Sequence, residues 1–424
     1  MNYKHLSGII IIIMLVRCFV LKKLLSIFLF GVYILGIPLN CAAQTISSEY
    51  FSDDIAIETS IEYTSADLKE ANLDLACKSA VLMEKETGEI LYEMNPNEKR
   101  APASITKIMS LLLIMEAIES KKLTLQTKVT ASEHACSMGG SQIWLEPGET
   151  MTVDELLKAV VIASANDATV ALGEAIAGSE EAFVNMMNAK AAELKMEDTH
   201  FENASGLDAE GQLTSAHDIA VMSCELIKHD LIKDYSTVWM DSLRNGESQL
   251  VNTNKLVRFY SGATGLKTGT TSSAGFCVSA TAEKNGMELC AVVMGAENND
   301  GRFGSARKLL DYGFANWKIC EVEIAKKELN NIKVIKGVKE NVSIEAIDKG
   351  YYLLESGASD NIEKKINLEE TLNAPIMKGQ KVGFAEIQSN GKKIGEIDIV
   401  ATENIEKLSY IICIYRMFKA LIAL

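Results

Sequence analysis

The chain has 424 residues, long enough for two or three domains, and 48% of them are hydrophobic, which is enough to bury a core in each. Its formal net charge is -15, and the first 43 residues carry four basic and no acidic side chains, so the remainder is more acidic still. This balance excludes nucleic-acid binding, because a protein that binds nucleic acid needs a basic face to meet the phosphates.

The cysteines favour free thiols over a metal centre. Nine cysteines are scattered along the chain without a C-x-x-C pair, and no histidine stands at metal-ligand spacing from them. We therefore expect buried thiols that act as small apolar side chains, and no metal site.

The N-terminus predicts an export signal. Lys22 and Lys23 precede an apolar run over residues 24–39, and small residues follow that offer a cleavage site before Gln44. We therefore assign residues 1–43 to a signal peptide, which predicts an exported protein.

An earlier apolar run over residues 8–16 makes this leader unusually long. It leaves two alternatives open, an uncleaved anchor or a true start downstream, at Met14. Residues 44–70 are rich in Ser, Thr and acidic side chains with weak periodicity, and we interpret them as a linker.

Strand patterns flank a helical block between residues 71 and 320, the predicted catalytic domain. Strands on both sides of such a block predict a mixed sheet with helices packed on it. The expected elements are a hairpin over 79–92, a buried helix over 104–119, helices over 152–194, a hairpin over 276–294 and a helix over 302–317.

The composition changes near residue 321, where short strand patterns and turns begin, so residues 321–403 are predicted to form a small all-β domain. Residues 404–424 follow as a predicted amphipathic helix with one wide apolar face. Seventeen residues, 408–424, reach about 25 Å as a helix, which is short of a bilayer core. We expect this helix to lie in the membrane surface; packing against the protein core is the alternative.

Three short strings with catalytic side chains follow one another along the chain. They are S-x-x-K at 104–107, S-x-N at 164–166 and K-T-G at 267–269. Each alone is weak evidence, because a serine at a helix start is usually a cap and S-x-x-K recurs at 305–308 and 389–392. Only the first S-x-x-K opens a predicted helix and precedes the other two strings, and that order is typical of serine hydrolases that recognise penicillin.

The first string pairs a nucleophile with a base. Residues i and i+3 share one face of a helix, so Lys107 can place its amine beside the Ser104 hydroxyl. The amine must be neutral to take the proton, and burial and a nearby cation, for which Lys267 is the candidate, both lower the pKa of a lysine. Gly269 allows close approach of backbone to ligand, and the backbone N–H groups of Ser104 and Thr270 are the candidate oxyanion hole.

The other two strings supply groups that handle a substrate. Ser164 can relay a proton to a leaving amine, and the Asn166 carboxamide can hold a substrate amide as both donor and acceptor. Lys267 together with Thr268 can bind a substrate carboxylate.

The trio and its spacings resemble the low-molecular-mass penicillin-binding proteins, specifically the serine-type D-alanyl-D-alanine carboxypeptidases. Further similar segments, such as Asn203-Ala-Ser-Gly-Leu207 and Lys378-Gly-Gln-Lys-Val-Gly383, extend the resemblance from about residue 75 to the end. It implies an α+β fold of the penicillin-binding-protein and β-lactamase-like transpeptidase type, a mixed sheet with helices, followed by a small all-β domain and a C-terminal amphipathic helix.

The resemblance also completes the candidate site. Arg302 matches the family's arginine near the substrate carboxylate, whereas Thr264 stands where the family often has an acidic residue, a departure that we expect to affect loop packing and not chemistry. The candidate catalytic residues are Ser104, Lys107 and Ser164, and the candidate substrate-binding residues are Asn166, Lys267, Thr268, Gly269, Thr270 and Arg302.

We therefore expect an exported enzyme at the outer face of the cytoplasmic membrane that hydrolyses the terminal D-alanine from peptidoglycan stem pentapeptides through a Ser104 acyl-enzyme. Penicillins should acylate the same serine, and no metal or organic cofactor is expected. The alternatives are a D,D-endopeptidase on cross-links, a β-lactamase, and a catalytically silent protein that binds the cell wall. A β-lactamase is disfavoured because Glu202 has Gly206, not Asn, four residues later.

Overall fold

The structure of the protein is a computed structural model that describes residues 73–357 and 361–414. The predicted signal peptide and linker lie outside the described residues, as do residues 415–424 of the predicted membrane helix. Residues 410–414 are helical, and within the described part of the chain no helix is long and apolar enough to cross a membrane.

The helices lie mainly between the two predicted hairpins. The predicted helical stretch over 152–194 is divided into three helices, because the backbone takes positive φ at Ser164 and at Gly178. In chain order the helices are α1 (Lys107–Glu119), α2 (Glu133–Cys136), α3 (Val153–Ile162), α4 (Asn166–Ala177), α5 (Glu180–Glu193), α6 (Ala216–Leu226), α7 (Lys233–Ser236), α8 (Leu256–Phe259) and α9 (Asn299–Asn316).

The strands fall into two groups, before and after residue 317. The first group is β1 (Ser79–Glu84), β2 (Ile90–Met94), β3 (Lys128–Thr130), β4 (Thr150–Thr152), β5 (Met240–Leu243), β6 (Ser248–Val251), β7 (Ala263–Thr271), β8 (Gly275–Lys284) and β9 (Met287–Ala296). The second group is β10 (Trp317–Val322), β11 (Ile332–Ile335), β12 (Asn341–Val342), β13 (Ile344–Ala346), β14 (Gly350–Glu355), β15 (Ile362–Leu368), β16 (Thr371–Asn373), β17 (Lys381–Ser389) and β18 (Lys392–Ala401).

The central sheet has five strands in the order β2-β1-β9-β8-β7. The predicted α+β class is confirmed, with one correction: the sheet is antiparallel at every pairing and not mixed. The reason is that β1 and β2 form one hairpin and β7, β8 and β9 form a meander, and the two units join through the antiparallel pair of β1 and β9.

Helix α1 lies in the centre of the fold, as its sequence predicted. Its residues from Lys107 to Met115 are all buried, so this helix is apolar on nearly every side and is enclosed by other elements. It begins one residue after a 3-10 turn over Ala103–Thr106, which carries the first S-x-x-K serine. The turn and the helix together therefore place Ser104 and Lys107 at the N-terminal end of this buried helix.

The second group of strands has its own apolar core. Buried side chains from Val322 to Ile405 pack together, and the sheet order β13-β18-β17-β15 is antiparallel throughout. The predicted boundary at 320/321 falls inside β10, which pairs with β14 along its whole length. The boundary stays a prediction, but this strand joins the two parts of the chain.

Replacement of glycine by alanine at two positions of α9 should change the stability of the protein in opposite directions. A Cβ at Gly313 would lie 2.4 Å from Leu289 Cδ1 and 2.9 Å from Leu82 Cδ2, whereas nothing lies within 4 Å of the corresponding atom at Gly304. Gly313→Ala should lower the free energy of unfolding by about 1–3 kcal/mol through overpacking against the sheet. Gly304→Ala should raise it by up to about 1 kcal/mol, because alanine favours helix. Thermal unfolding of both variants tests this, and a stabilised Gly313→Ala would contradict the packing of α9.

Candidate active site

The Ser104 hydroxyl and the Lys107 amine meet at the start of α1. Ser104 Oγ lies 3.0 Å from Lys107 Nζ, as the i, i+3 spacing predicted. The connecting turn is 3-10 and not α-helical, and Ala103, its first residue, has φ of 49°, so the backbone bends sharply just before the serine. The prediction that these two side chains interact is therefore satisfied by local geometry.

Lys107 is fully buried and has three oxygen neighbours. Besides Ser104 Oγ, its Nζ lies 2.6 Å from Asn166 Oδ1 and 2.5 Å from the Ser205 carbonyl oxygen. Both of these oxygens can only accept hydrogen bonds. A neutral amine has two N–H groups and one lone pair, so donation to these two oxygens leaves its lone pair for the Ser104 O–H.

The electrostatic surroundings favour this neutral form. Burial lowers the pKa of Lys107 well below its ordinary value, and the positive charge of Lys267 lowers it further, against a smaller opposing effect of Asp167. The cation that the sequence analysis assigned to Lys267 thus acts on Lys107. A lowered pKa makes the neutral amine, which is the form that can accept a proton, easier to reach.

The S-x-N string follows α3 and ends on Asn166, the first residue of α4, which is a partner of Lys107. Asn166 Nδ2 donates to the Gly139 carbonyl at 2.6 Å, and the Asn166 backbone N–H donates to the Ser141 carbonyl at 2.7 Å. The carboxamide is thus oriented by the loop over residues 139–141, with its oxygen turned to the lysine. The Asn166 carboxamide thus contacts Lys107 through its oxygen and the loop through its nitrogen.

Ser164 has the features of a strained, unsatisfied group. Its φ is 63°, which is unusual outside glycine, its side chain is buried, and its hydroxyl has no hydrogen-bond partner among the described residues. A buried hydroxyl without a partner costs free energy unless a ligand or water meets it. This cost is consistent with a hydroxyl that is kept available for a substrate.

Strand β7 forms the opposite wall and carries the K-T-G string. A Cβ at Gly269 would lie 2.9 Å from the Ser104 backbone nitrogen and 3.0 Å from that of Ile105, so only glycine lets the strand approach the backbone of Ser104 this closely. Lys267 is buried in this strand, and burial together with the charge of Arg302 lowers its pKa to about 7. The Thr268 hydroxyl donates to Thr253 Oγ1 at 2.7 Å, which orients it.

Arg302 reaches this wall from α9. Its Nη1 donates to Thr270 Oγ1 at 3.0 Å and to the Gly269 carbonyl at 3.3 Å. Its Nε has no partner among the described residues, and burial lowers its pKa to about 10. The arginine therefore braces the strand beside Gly269 and adds positive charge near Lys267.

The S-x-x-K string at 305–308 does not form such a pair. Ser305 Oγ accepts a hydrogen bond from the Ala76 N–H, while Lys308 donates to the carbonyls of Leu73 and Asp74, so both side chains tie α9 to the first described residues. The described residues also contain no group of three or more His, Cys, Asp or Glu side chains that could hold a metal ion.

Two family models of known proteins match the chain. Residues 65–298 match the family model described as D-alanyl-D-alanine carboxypeptidase, which is more than half of the chain. The chain belongs to this family. Residues 322–407 match a second model, described as the C-terminal domain of penicillin-binding protein 5.

Relatives within the family are similar over most of their length. The chain is 43% identical to D-alanyl-D-alanine carboxypeptidase DacF of Bacillus subtilis over 79% of this chain and 87% of that one. It is 34% identical to the carboxypeptidase DacC of Escherichia coli over 77% and 84%. Among solved structures, penicillin-binding protein 5 from Haemophilus influenzae superposes with a TM-score of 0.69 at 30% identity, covering 78% of this chain and 98% of that chain.

Some residues of the site carry no sequence signal that we recognised. The Ser205 carbonyl is a backbone group, presented by a loop in which Asn203 Oδ1 accepts hydrogen bonds from the N–H groups of Ser205, Gly206 and Leu207. The segment was named above only for its resemblance, but Asn203 with Ser205 and Gly206 close behind it favours a turn and could have pointed to this loop.

Asp167 is a second residue that the sequence analysis did not single out. Its buried carboxylate accepts backbone N–H groups of Ile143, Leu145 and Ala168, and so holds the segment that follows residues 139–141. Its place directly after Asn166, in the first turn of α4, could have pointed to this role.

Thr264, the departure from the family that the sequence showed, lies within hydrogen-bond distance of two side chains. Its hydroxyl is 2.8 Å from Thr281 Oγ1 and 2.7 Å from Glu288 Oε1.

The lowered pKa of Lys267 predicts a cost to stability. The group keeps its proton up to about pH 10.5 when unfolded but loses it near pH 7 when folded, so between these values the unfolded state binds more protons and stability rises with pH. Lys267→Met should therefore stabilise the protein by on the order of 5 kcal/mol at about pH 6 and by much less at about pH 10.

Unfolding by urea at the two pH values measures this difference. Lys122→Met is the matched control, because Lys122 is exposed and its removal should change stability little at either pH. Equal effects of Lys267→Met at both pH values would show that Lys267 pays no penalty for burial of its charge.

Proposed function

We propose that this family member removes the terminal D-alanine from peptidoglycan stem pentapeptides, with Ser104 as the nucleophile that becomes acylated. The observation that carries the proposal is the Lys107 amine, which is buried, is held by two acceptor-only oxygens and directs its third contact at the Ser104 hydroxyl. Activation of a serine for attack on an amide is what this arrangement does best.

In the proposed acylation step, Lys107 takes the Ser104 proton while Ser104 Oγ bonds to the carbonyl carbon of the penultimate D-alanine. The carbonyl oxygen becomes negatively charged and is stabilised by the backbone N–H groups of Ser104 and Thr270. The C–N bond then breaks, and the leaving amine takes a proton relayed through Ser164. Free D-alanine departs and an ester on Ser104 remains.

In deacylation, water attacks the same carbonyl carbon, the ester bond breaks and Ser104 regains its proton. Lys107 is again the group placed to accept a proton, now from water.

Binding of the substrate precedes both steps. The carboxylate of the terminal D-alanine is bound by Lys267 and Thr268, with Arg302 adding positive charge at that end of β7. Asn166 holds the substrate amide as well as the lysine.

The same serine is proposed to react with β-lactams, whose strained amide offers the same carbonyl carbon. In support, penicillin-binding protein D2 of Listeria monocytogenes, 31% identical over 57% of this chain and 100% of that chain, was solved in its ampicillin-bound form, with a TM-score of 0.53. The proposal therefore predicts covalent labelling of Ser104 by a penicillin.

The alternative functions are less well supported. A β-lactamase needs a base for fast deacylation, and Glu202, the residue considered for that role, is exposed and lies 3.2 Å from His200. A silent wall-binding protein has no use for a buried amine aimed at a serine. A D,D-endopeptidase would use the same site, and only its products distinguish it from a carboxypeptidase.

We further propose that the enzyme is exported through the signal at residues 1–43 and lies at the outer face of the cytoplasmic membrane through the C-terminal helix. The helix predicted over residues 404–424 begins only at Tyr410, because Ile405 and Lys407 form β-bridges and Ile405 is buried in the core of the second group of strands. At its start Tyr410, Ile411 and Ile414 are exposed apolar side chains. Positions 410, 411 and 414 lie on one side of a helix, which suits insertion into the membrane surface.

Free D-alanine is the first product to measure. With enzyme beginning at Gln44 and a synthetic pentapeptide ending in D-Ala-D-Ala, we expect release that falls by at least about 10³-fold in Ser104→Ala. Ser389→Ala is the matched control, since Ser389 also begins an S-x-x-K string but lies at the end of β17. Release that persists in Ser104→Ala would remove this serine as the nucleophile, and activity on cross-linked muropeptides alone would favour the endopeptidase.

Two substitutions to aspartate test the proposed membrane binding. Ile414→Asp places a charge on the apolar side of the helix and should reduce sedimentation of the full chain with anionic lipid vesicles about tenfold or more. Ser409→Asp adds the same charge where Ser409 Oγ accepts the Ile412 N–H, a capping role that aspartate keeps, so binding should be retained. Equal loss in both variants would contradict insertion of this face.

A further inference from the structure

Glu180 stands between two loops that reach the catalytic lysine. It is the first residue of α5, and its side chain is 14% exposed. Its Oε2 lies 2.6 Å from His134 Nε2, and its Oε1 accepts the Ala204 backbone N–H at 3.0 Å. One carboxylate thus contacts two segments that are 70 residues apart in sequence.

The contact with Ala204 leads directly to Lys107. While Glu180 holds the Ala204 N–H, the Ala204 carbonyl accepts Ser110 Oγ at 2.7 Å, so this residue is fixed from both sides. The next residue, Ser205, presents its carbonyl to Lys107 Nζ at 2.5 Å. Movement at Ala204 would therefore displace one of the two acceptors that orient the lysine.

The contact with His134 leads to the other acceptor. His134 lies in the short helix α2, and the chain continues from there to Gly139, whose carbonyl accepts Asn166 Nδ2 at 2.6 Å. Asn166 Oδ1 in turn accepts from Lys107 at 2.6 Å. Both acceptor-only oxygens of Lys107 are thus supported by segments that Glu180 holds together.

We infer that Glu180 is a positioning residue for acylation, and this inference rests on the proposed role of Lys107 as the base. The carboxylate keeps the Ser205 carbonyl and the Asn166 carboxamide at the spacing that leaves the amine's lone pair for Ser104. A displacement of about 1 Å at a reacting group costs up to about 100-fold in rate. The effect should fall on the chemical step and not on the binding of substrate.

The neighbouring residue offers a matched control. Glu181 has the same charge, lies in the same first turn of α5 and is exposed. Glu181→Ala therefore reproduces the change in net charge and in helix-terminal electrostatics without touching either loop. A difference between the two alanine variants reports the contacts of Glu180 alone.

The test is the acylation of the exported enzyme by a fluorescent penicillin, measured over a range of concentrations so that the limiting rate and the half-saturating concentration are separated. We expect Glu180→Ala to lower the limiting rate about 10- to 100-fold with little change in half-saturation, at a temperature where thermal unfolding shows the variant folded. Glu181→Ala should react like the unchanged enzyme. Glu180→Gln should recover most of the rate, because its amide oxygen still accepts the Ala204 N–H and its nitrogen can donate to His134.

The possible failures can be told apart. If the unchanged enzyme is not labelled at Ser104, the proposed function is wrong. If it is labelled and Glu180→Ala acylates as fast as Glu181→Ala, or if Glu180→Gln is no better than Glu180→Ala, the positioning role is wrong. Should Glu180→Ala not fold, His134→Ala breaks one arm only, and an unchanged limiting rate in that variant would also overturn the inference.

Discussion

A lysine amine that is shut off from water, and yet surrounded by oxygens, is the constraint around which the rest of the site is built. Burial of Lys107 removes the solvent that would stabilise its charge, and Lys267 adds repulsion. The oxygens of Asn166 and Ser205 then satisfy its two N–H groups. Without both conditions the amine would either stay protonated or point away from Ser104.

This constraint explains the close packing of the walls. The lysine lies on a helix that is buried on nearly every side, so its partners come to it from the start of α4, from the loop near residue 205 and from β7. Gly269 lets β7 come close to the backbone of Ser104, and Gly206, whose Cβ would lie 1.9 Å from the Ala103 carbonyl oxygen, does the same on the other side. Small residues thus set the width of the cleft.

The arrangement lowers the stability of the folded protein, and this destabilisation comes mainly from the side chains of the candidate site. Two lysines and one arginine with lowered pKa lie close together, and Ser164 keeps a strained backbone and a buried hydroxyl that meets no partner in the described part of the chain. Ordinary cores avoid such groups. Here the surrounding apolar core, which includes nearly all of α1, stabilises the fold enough to hold them in place.

Much of this protein could be read from its sequence, because the relevant patterns are local. The i, i+3 pair of Ser104 and Lys107, the hairpins and the buried α1 all follow from periodicity and turn residues within a few positions. The antiparallel character of the central sheet could not be predicted in this way, because it depends on how β1 pairs with β9, which lies more than 200 residues later in the chain. Only the tertiary structure decided the surroundings of the Lys107 amine, since its partner carbonyl belongs to Ser205, 98 residues away in sequence, and a backbone oxygen is present at every residue type. A charge state is a property of burial and neighbours, and those exist only once the chain has folded.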